Sequence, residues 1–391
     1  MKKITERMPK LTKKSVKQLL AAIPQHLLEE IGQETNVDYN VSRLYGERMF
    51  KLIVFAMLRS ETPSTRLLEH LYNTPYFSAF IGKGEHKTRH SSIADRLSNM
   101  NPEYFKAIFE WAVEHYGKML HSNSVFKRLK RFDSTMVPIS SALVDWGMRV
   151  GKSPKKGARK VQLKFTMELH AKLPASVKSF FHQDRLSEER ALKQAIEEAK
   201  LEEGDIAVFD NGLKSRQTLI GFDNQGVKYV TRGIAKTRFE TQQTHSRIKG
   251  RQADGLKFHR DEKVYLYGNA FKLIEHPFRL IEVETLDKGE RLIFITNIWD
   301  LNAMQIARIY RQRWDIEVFF RFLKQQLGIK HLINRSENGV QIQIYCALIA
   351  AILLLVFKIT NKISGYKTAK LLFAEQLFIL FVNELNKKNP P

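Results

Sequence analysis

One acidic side chain, Glu317, lies in a basic stripe of the segment YRQRWDIEVFFRFLK, which runs from Tyr310 to Lys324. In a continuous α-helix, this stripe would fall within an arc of about 80°. Its members are Tyr310, Arg313, Glu317, Arg321 and Lys324. Aromatic and aliphatic residues occupy most other directions, which is typical of a helix packed on several sides. The sequence therefore predicts that the charged stripe lines a cleft.

Two aspartates in strand-like runs are candidates for the same cleft. Asp133 lies in KRFDSTMV, and Asp210 ends DIAVFD just before the turn signal Asn211-Gly212. Carboxylates at the carboxyl ends of buried strands are in the usual place for a site on an α/β sheet. Taken singly, each aspartate is more often a turn former or a cap, so the prediction depends on the set of three acidic residues.

Three converging carboxylates would repel one another strongly unless cations neutralised them. Oxygen ligands suit Mg²⁺, for which Mn²⁺ can substitute, and two such ions can activate an attacking oxygen and stabilise a leaving one at a phosphodiester. Basic side chains on the same helix would hold the phosphates. We therefore predict that Asp133, Asp210 and Glu317 are the catalytic residues and ligate two Mg²⁺ ions.

The charge of the whole chain favours the same class of substrate. Its 391 residues include 64 Lys and Arg against 41 Asp and Glu, which gives a formal net charge of +23. This excess favours nucleic acid over a membrane surface as the partner. The single cysteine, Cys346, excludes intramolecular disulfides and multi-cysteine zinc sites.

Hydropathy indicates a cytoplasmic protein with no membrane association. The N-terminal segment MKKITERMPKLTKK lacks the apolar core of a signal peptide. The longest apolar run, Ile344 to Phe357, has fourteen residues. A membrane span needs about 20 residues, so this run predicts a buried helix instead.

Hydrophobic periodicity predicts an α/β protein with helical regions at both ends. Residues 1–125 carry apolar residues at three- and four-residue spacing, which predicts an all-helical region. Residues 126–340 change to a period of two, interrupted by a helix with Ser187 as its cap, which predicts a mixed α/β domain. Residues from about 233 to 290 form a β-rich insertion, Asn302 to Leu327 form one long helix, and residues 341–391 form an apolar helical tail.

Two basic segments are candidates for DNA contacts outside the cleft. A short helix entered through a basic turn, with Ser91 or Ser92 as N-cap, would fit a DNA groove; the alternative is an ordinary surface helix. The loop GKSPKKGARK would touch the DNA backbone, or else is a solvated loop without a partner. The residues concerned are Arg89 and Arg96 in the first segment, and Lys152, Lys155 and Lys156 in the second.

The spacing Tyr310-x2-Arg313-x3-Glu317-x6-Lys324 matches the YREK signature of DDE transposases from bacterial insertion sequences. The chain resembles the insertion-sequence-4-like members of that family over roughly residues 85–340. FDSTMV is similar to the strand that carries the family's first Asp, and VFDNGLKS to the segment that carries its second. The long interval between this second Asp and the Glu resembles the β-rich insertion of this branch.

The resemblance implies an RNase H-like catalytic core and transposition of the protein's own element, by cleavage at the element's ends and strand transfer. It implies that the three acidic residues bind two Mg²⁺ ions and that Tyr310, Arg313 and Lys324 grip the terminal phosphates. Terminal inverted repeats and target DNA would be the partners. It also implies a homodimer formed on DNA, at the bacterial nucleoid.

Two other functions fit parts of the sequence. A catalytically inactive DNA-binding protein derived from a transposase would explain the basic charge, but the complete set of three carboxylates argues against it. A carboxylate-pair hydrolase such as a glycosidase would explain two acidic residues. That enzyme would need neither the net charge of +23 nor the Arg and Lys side chains around Glu317.

Overall fold

Helices form both ends of the chain, and an extended β-sheet is formed by the residues between them. The change of period near residue 126 is confirmed, because the strands in the described chain lie between positions 129 and 296. The computed structural model describes residues 13–82, 86–120, 128–139, 148–149, 161–170, 173–180, 188–213, 215–234, 236–268 and 272–388.

Seven helices precede the sheet in the described residues. They are α1 (Val16–Ala21), α2 (Gln25–Glu34), α3 (Gly46–Arg59), α4 (Thr65–Tyr72), α5 (Pro75–Phe80), α6 (His90–Asn99) and α7 (Glu103–Leu120). Polar side chains cap two of them: Ser15 forms a capping box with Gln18 at α1, and Ser64 accepts a hydrogen bond from the Leu67 N–H at α4. Every residue of α3 from Leu52 to Leu58 is buried, so this helix lies at the centre of the packing.

The two C-terminal helices, α12 (Glu337–Thr360) and α13 (Tyr366–Lys388), pack against these N-terminal helices. α12 contacts α3, α6 and α7, and α13 contacts α1 and α5. The buried helix predicted from Ile344 to Phe357 is confirmed: α12 is long and apolar enough to cross a membrane, yet 89% of its most apolar window is buried inside the protein. The two ends of the chain share one hydrophobic core, which we call the helical body.

One mixed sheet contains the strands of the described chain. They are β1 (Leu129–Ile139), β2 (Met148–Arg149), β3 (Val161–His170), β4 (Leu173–Phe180), β5 (Ile206–Phe209), β6 (Lys228–Gly233), β7 (Phe239–Thr244), β8 (Gln252–Ala253), β9 (Leu256–Tyr267), β10 (Leu273–Thr285) and β11 (Arg291–Thr296). Their order is β2-β3-β1-β5-β6-β11-β10-β9-β7, with β4 beside β3 and β8 beside β9. β1, β5 and β6 are parallel, and the other pairs are antiparallel. Residues 233–290, predicted as a β-rich insertion, contain β7 to β10, which extend this sheet.

Helices cover both faces of the central strands. α8 (Glu188–Glu198) and α9 (Arg216–Asn224) pack on one face, where Ala207 and Phe209 of β5 join their core. Ile206 and Val208 point to the opposite face and join the core of α10 (Ala303–Arg311). Because all four residues of β5 are buried, the strand reads as a continuous apolar run, as expected for a parallel strand covered on both faces.

The single helix predicted from Asn302 to Leu327 is wrong, because the segment forms α10 and a second helix, α11 (Trp314–Gln326). Between them, the N–H groups of Arg313, Asp315 and Ile316 bond to the carbonyl three residues earlier, which tightens the turn. The Gln312 carbonyl also accepts a hydrogen bond from the Arg131 Nη1 of β1, at 3.4 Å. Packing on several sides is also only partly observed, since Trp314 is 53% exposed.

Candidate functional site

The sheet brings the two predicted aspartates side by side. β1 and β5 run parallel, and their last paired positions are Arg131 and Val208. Asp133 and Asp210 each follow these positions by two residues, so they lie at the same level and their side chains face the same way. The register of two neighbouring strands therefore places both carboxylates at one end of the parallel part of the sheet.

Alternate residues of β1 contact the α10–α11 segment, because a strand directs every second side chain to the same face. Each of three such side chains meets one residue of that segment. The three pairs are Arg131 with Asp315, Asp133 with Arg313, and Thr135 with Lys324. These three pairs join strand β1 to the YREK segment, and we call the region between the two the cleft.

Arg313 lies between two of the three carboxylates. Its Nη1 donates to the Asp133 Oδ2 at 3.3 Å, and its Nη2 donates to the Glu317 Oε1 at 2.5 Å. The Nε is buried and has no hydrogen-bond partner among the residues that the structure describes. Burial alone would lower the pKa of Arg313, but Tyr310, the bond to Glu317 and the nearby aspartates outweigh it and raise the pKa. The guanidinium therefore stays charged.

Tyr310 holds the remaining carboxylate. Its hydroxyl donates to the Asp210 Oδ1 at 3.0 Å, and the Asn211 N–H donates to the same oxygen at 2.9 Å. The ring packs against Phe294 of β11, with 4.8 Å between ring centroids. Burial, and then the charge of Asp210, raise the pKa of Tyr310. The hydroxyl therefore remains a hydrogen-bond donor over the physiological pH range.

The last two basic residues of the predicted stripe differ from each other. Lys324 is half-buried, and its Nζ donates to the Thr135 hydroxyl in β1. Burial, and then the positive charge of Lys330, lower the pKa of Lys324. Arg321 is exposed on the outer side of α11. The helix thus directs Lys324 into the cleft and Arg321 into solvent.

Known proteins support a family for this chain. The family model described as Transposase DDE domain matches residues 126–353, which is more than half of the chain. The chain belongs to the DDE transposases. The resemblance to transposases of the insertion-sequence-4 type, predicted from the YREK spacing, is confirmed.

Curated relatives of this DDE transposase are matched over part of their length. A putative transposase, y4zB, of Sinorhizobium fredii is 29% identical over 164 residues, 42% of this chain and 46% of the relative. The putative transposase for insertion sequence element IS4SA of Synechocystis sp. is 26% identical over 223 residues, 57% of this chain and 58% of the relative. The probable transposase for insertion sequence element IS5377 of Geobacillus stearothermophilus is 42% identical over 66 residues, 17% and 18% of the two chains. The chain thus spans less than two thirds of each relative.

A solved structure is similar in fold. It is the cryo-EM structure of the piggyBac transposase synaptic complex with hairpin DNA, which superposes with a TM-score of 0.51 at 11% sequence identity. The superposition covers 95% of this chain and 82% of that chain. At this identity the likeness concerns the fold alone.

The donor chemistry of the DDE transposase site fits a hard divalent cation, since Asp133, Asp210 and Glu317 offer carboxylate oxygens. Their placement is not that of a closed metal cage. No group of three or more His, Cys, Asp and Glu side chains in the described part of the chain is arranged to hold a metal ion. The carboxylates are bonded to Arg313 and Tyr310 instead, so the binding of ions requires these contacts to rearrange.

The helix predicted to enter a DNA groove begins in a different way from the one expected. The predicted N-cap at Ser91 or Ser92 is wrong, because α6 begins at His90 and Arg89 is at the N-cap without a side-chain bond. The carboxylate of Glu69 in α4 accepts the His90 N–H at 2.9 Å, and this bond lowers the pKa of Glu69. Because another helix provides the acceptor, a pattern within α6 could not reveal it.

The other predicted DNA contacts have separate outcomes. Arg89 is exposed. The Arg96 guanidinium donates to the Leu44 carbonyl at 2.9 Å and to the Val37 carbonyl at 2.6 Å, and it pairs with Asp38 at 3.0 Å. Arg96 therefore joins α6 to the segment between α2 and α3, a structural role. Lys152, Lys155 and Lys156, the remaining predicted DNA contacts, lie outside the described residues. The predicted cap Ser187 lies outside them as well.

Sequence reasoning missed Arg131 and Thr135, which lie two residues on either side of Asp133. Arg131 is buried, and its Nη1 donates to the Asp315 Oδ2 at 2.8 Å. Thr135 is likewise buried and accepts a hydrogen bond from Lys324. The period of two along β1 was the available signal, because it places all three side chains on the face that carries Asp133.

An apolar cavity of about 580 Å³ is lined in part by Tyr310 and Arg313, the residues that bond the candidate carboxylates. It lies between the tips of the insertion strands and the α10–α11 turn, and its wall ends at the exposed Trp314. Leu292 and Phe294 of β11 form its floor. Tyr310 and Arg313 therefore have the candidate carboxylates on one side and this apolar cavity on the other.

Proposed function

We propose that this protein cleaves DNA at the ends of its insertion sequence and joins the freed end to target DNA by two-metal phosphoryl transfer. The observation that carries the proposal is the register of β1 and β5, which sets Asp133 beside Asp210, opposite the helix of Glu317. The order β4-β3-β1-β5-β6, with three parallel central strands and an antiparallel flank, supports an RNase H-like core.

In this proposal, Asp133, Asp210 and Glu317 ligate two Mg²⁺ ions, for which Mn²⁺ can substitute. Bound ions would activate the attacking oxygen and stabilise the charge on the leaving oxygen. The N–H groups of Ser134 and Asn211 orient the two aspartates, at 2.8 Å and 2.9 Å. Rigid backbone donors of this kind hold catalytic groups in position without reorganisation during the reaction.

Tyr310, Arg313 and Lys324 hold the terminal phosphates of the element. All three point into the cleft, and Arg313 offers a planar fork of donors that matches a phosphate. The same site serves two steps. Water first attacks at the end of the element, and the freed 3′-hydroxyl then attacks target DNA, because both reactions are in-line displacements at phosphorus.

Terminal inverted repeats and target DNA are the proposed partners, bound through the cleft and through basic residues outside it. These residues are Arg89 and Arg321, which are exposed, and Lys152, Lys155 and Lys156. The net charge of +23 supports binding to the DNA backbone, which is dominated by phosphate contacts. We place this activity in the bacterial cytoplasm, at the nucleoid.

We further propose that two subunits assemble on DNA. Leu371 and Ile379 lie on the outer face of α13 and are 60% and 57% exposed, which leaves apolar surface for a second copy. Repulsion between two highly basic chains opposes association without DNA, and DNA would remove it. Mixing Glu317→Ala subunits with subunits that lack Lys152, Lys155 and Lys156 tests this: restored cleavage indicates cutting in trans, and full-rate cleavage by single subunits contradicts it.

Cleavage of a duplex that carries the element's terminal repeat, with Mg²⁺ or Mn²⁺, tests the proposed chemistry. Asp133→Ala, Asp210→Ala and Glu317→Ala should each reduce the rate by more than about a thousandfold, because each removes several kcal/mol of transition-state stabilisation. Asp300→Ala, which removes an exposed carboxylate on the loop before α10, is the matched control and should cut normally. A wild-type protein that binds the duplex without cutting it would favour the inactive DNA-binding protein instead.

A further inference from the structure

Arg313 makes an incomplete set of bonds for a buried arginine. Its side chain is 10% exposed and bonds two different carboxylates, one on β1 and one on α11. Each carboxylate receives one guanidinium nitrogen, whereas a paired fork would give both nitrogens to a single carboxylate. The buried Nε has no acceptor in the described residues. A buried donor without an acceptor is unfavourable, so the guanidinium retains capacity for another anion.

The bonds of Arg313 conflict with the binding of divalent ions. They use the Asp133 Oδ2 and the Glu317 Oε1, and the other Asp133 oxygen accepts the Ser134 N–H. Ions that bind these carboxylates would compete for the same oxygens. They would also be repelled by a guanidinium within the cleft, where burial strengthens electrostatic interactions. The charge of Arg313 thus takes the place of an external cation.

We propose that Arg313 neutralises the catalytic carboxylates until a DNA end arrives, so that DNA phosphates and divalent ions bind with positive cooperativity. The inference rests on the proposed function, since it takes the three carboxylates as metal ligands. A phosphate oxygen would satisfy the Nε and draw the fork from the carboxylates. The carboxylates would then be available to ions at the moment when substrate is present, which prevents metal-dependent chemistry in the free protein.

Cooperativity of this kind is reciprocal. If a DNA end raises the affinity for ions by some factor, the ions raise the affinity for the DNA end by the same factor. Replacement of Arg313 should change the affinity for ions differently in the DNA-free and the DNA-bound protein. In the free protein it removes a competitor and increases the affinity for ions, whereas a ligand or a simple structural residue would decrease that affinity when replaced. The sign of the effect therefore distinguishes this role from the others.

Titration of the full-length, DNA-free protein with Mn²⁺, followed by electron paramagnetic resonance of the free ion, tests the inference. Arg313→Ala should bind Mn²⁺ about tenfold more tightly than the wild type, within the usual range of coupling between two sites. Arg66→Ala removes the same charge from an exposed position of α4, which has no role in the proposed site, and should change the affinity by about twofold or less, because solvent screens it. Arg313→Lys, which cannot bridge two carboxylates, should give a smaller increase and decides the question if the alanine variant does not fold.

A terminal-repeat duplex should then raise the Mn²⁺ affinity of the wild type, and raise that of Arg313→Ala by a smaller factor. Equal or weaker Mn²⁺ binding by both Arg313 variants would overturn the inference. Asp133→Ala and Glu317→Ala separate this failure from a failure of the proposed function. If they weaken Mn²⁺ binding while the Arg313 variants do not strengthen it, the metal site stands and the role of Arg313 is wrong. If they leave Mn²⁺ binding unchanged, the proposed metal site itself is wrong.

Discussion

Arg279 and Arg313 are both buried and both bind carboxylates, but they do so in different ways. Arg279 of β10 and Asp261 of β9 are 1% and 0% exposed, and two guanidinium nitrogens bond the two carboxylate oxygens at 2.8 Å and 2.9 Å. The third nitrogen donates to the carbonyls of Ile298 and Leu301, at 2.7 Å and 2.6 Å. Ser246 donates to the same carboxylate. All three nitrogens and both oxygens of this pair are thus satisfied.

Arg313 differs from Arg279 in each respect. It divides its bonds between Asp133 and Glu317 at unequal lengths of 3.3 Å and 2.5 Å, and its Nε is unsatisfied within the described residues. Its partners are also more exposed, at 14% and 30%. A complete buried network stabilises one arrangement, whereas an incomplete one leaves bonds to be made with a ligand. We therefore expect the Arg279–Asp261 pair to stabilise the fold, and the bonds of Arg313 to be available for the ligands of the proposed reaction.

The location of the Arg279–Asp261 pair explains how the insertion helps to position the helices of the candidate site. Arg279 connects the insertion strands with the loop that follows β11, through the carbonyls of Ile298 and Leu301. This loop leads directly into α10, whose last turn carries Tyr310. The insertion thus anchors the start of the helical segment, and the segment's other end reaches the carboxylates.

The largest difference that we predict between the Arg279–Asp261 pair and the Arg313 group is in their contribution to the free energy of unfolding. Asp261→Ala should lower the free energy of unfolding by about 3–5 kcal/mol, because it leaves Arg279 buried and charged without its partner. Glu317→Ala should lower it by less than about 1 kcal/mol, since that pair is partly exposed and Arg313 keeps Asp133. Urea unfolding followed by circular dichroism measures both. Equal decreases in the free energy of unfolding would show that both carboxylates contribute equally to stability, contrary to this prediction.

A smaller effect is expected for Asp315, which connects the two walls of the cleft. Asp315→Ala should cost about 1–3 kcal/mol, because it leaves a buried nitrogen of Arg131 with weaker acceptors. Displacement of α11 would also shift Glu317 and reduce cleavage by about ten- to a hundredfold. Asp315→Asn retains an acceptor for Arg131 and should recover part of the stability and part of the cleavage rate. If cleavage fell with both variants while stability did not change, a direct role for Asp315 in DNA binding would be indicated.

Local patterns in the sequence were sufficient where one element determines the structure. The alternation in FDSTMV predicted β1, and the carboxylates at Asp133 and Asp210 face one cleft because both strands have a period of two. The apolar run in α12 predicted burial, since a helix without a polar face must be covered. The YREK spacing predicted the family because it is a property of one short segment.

Contacts between distant segments were not visible in these patterns. The turn at Gln312 receives a hydrogen bond from Arg131, which is 181 positions away along the chain. The start of α6 depends on Glu69 of another helix, so the expected Ser cap was wrong. Likewise the composition of α12 showed that it is buried, but not that α3 and α7 cover it. The bonds of Arg313 to the carboxylates were missed because the pattern indicated phosphate contacts.

A still smaller effect should separate the two basic residues at the end of α11. Lys324→Ala and Arg321→Ala should each lower the slope of log affinity against log salt by about one unit if each contacts one phosphate. Lys324 lies in the cleft, so its replacement should weaken binding of a cleaved end more than that of a random duplex. Replacement of the exposed Arg321 should weaken the binding of a cleaved end and of a random duplex by similar factors. Unchanged slopes would assign both side chains to packing or to internal bonds.

Labelling of Cys346 tests whether the sheet and the helical body unfold together. Burial raises the pKa of this thiol well above its usual range, and the side chain lies at the centre of the helical body, so a thiol reagent at pH 8 should not label the native protein. Labelling then reports opening of the helical body. If sheet and helices unfold as one unit, Asp261→Ala should accelerate labelling by about a hundredfold or more, as its loss of stability implies. Glu317→Ala, the matched carboxylate change in the cleft, should leave the rate within about fivefold of the wild type. Faster labelling in both variants would contradict the predicted difference in stability between the Arg279–Asp261 pair and the Arg313–Glu317 pair. Faster labelling in neither variant would show that the helical body opens independently of the sheet.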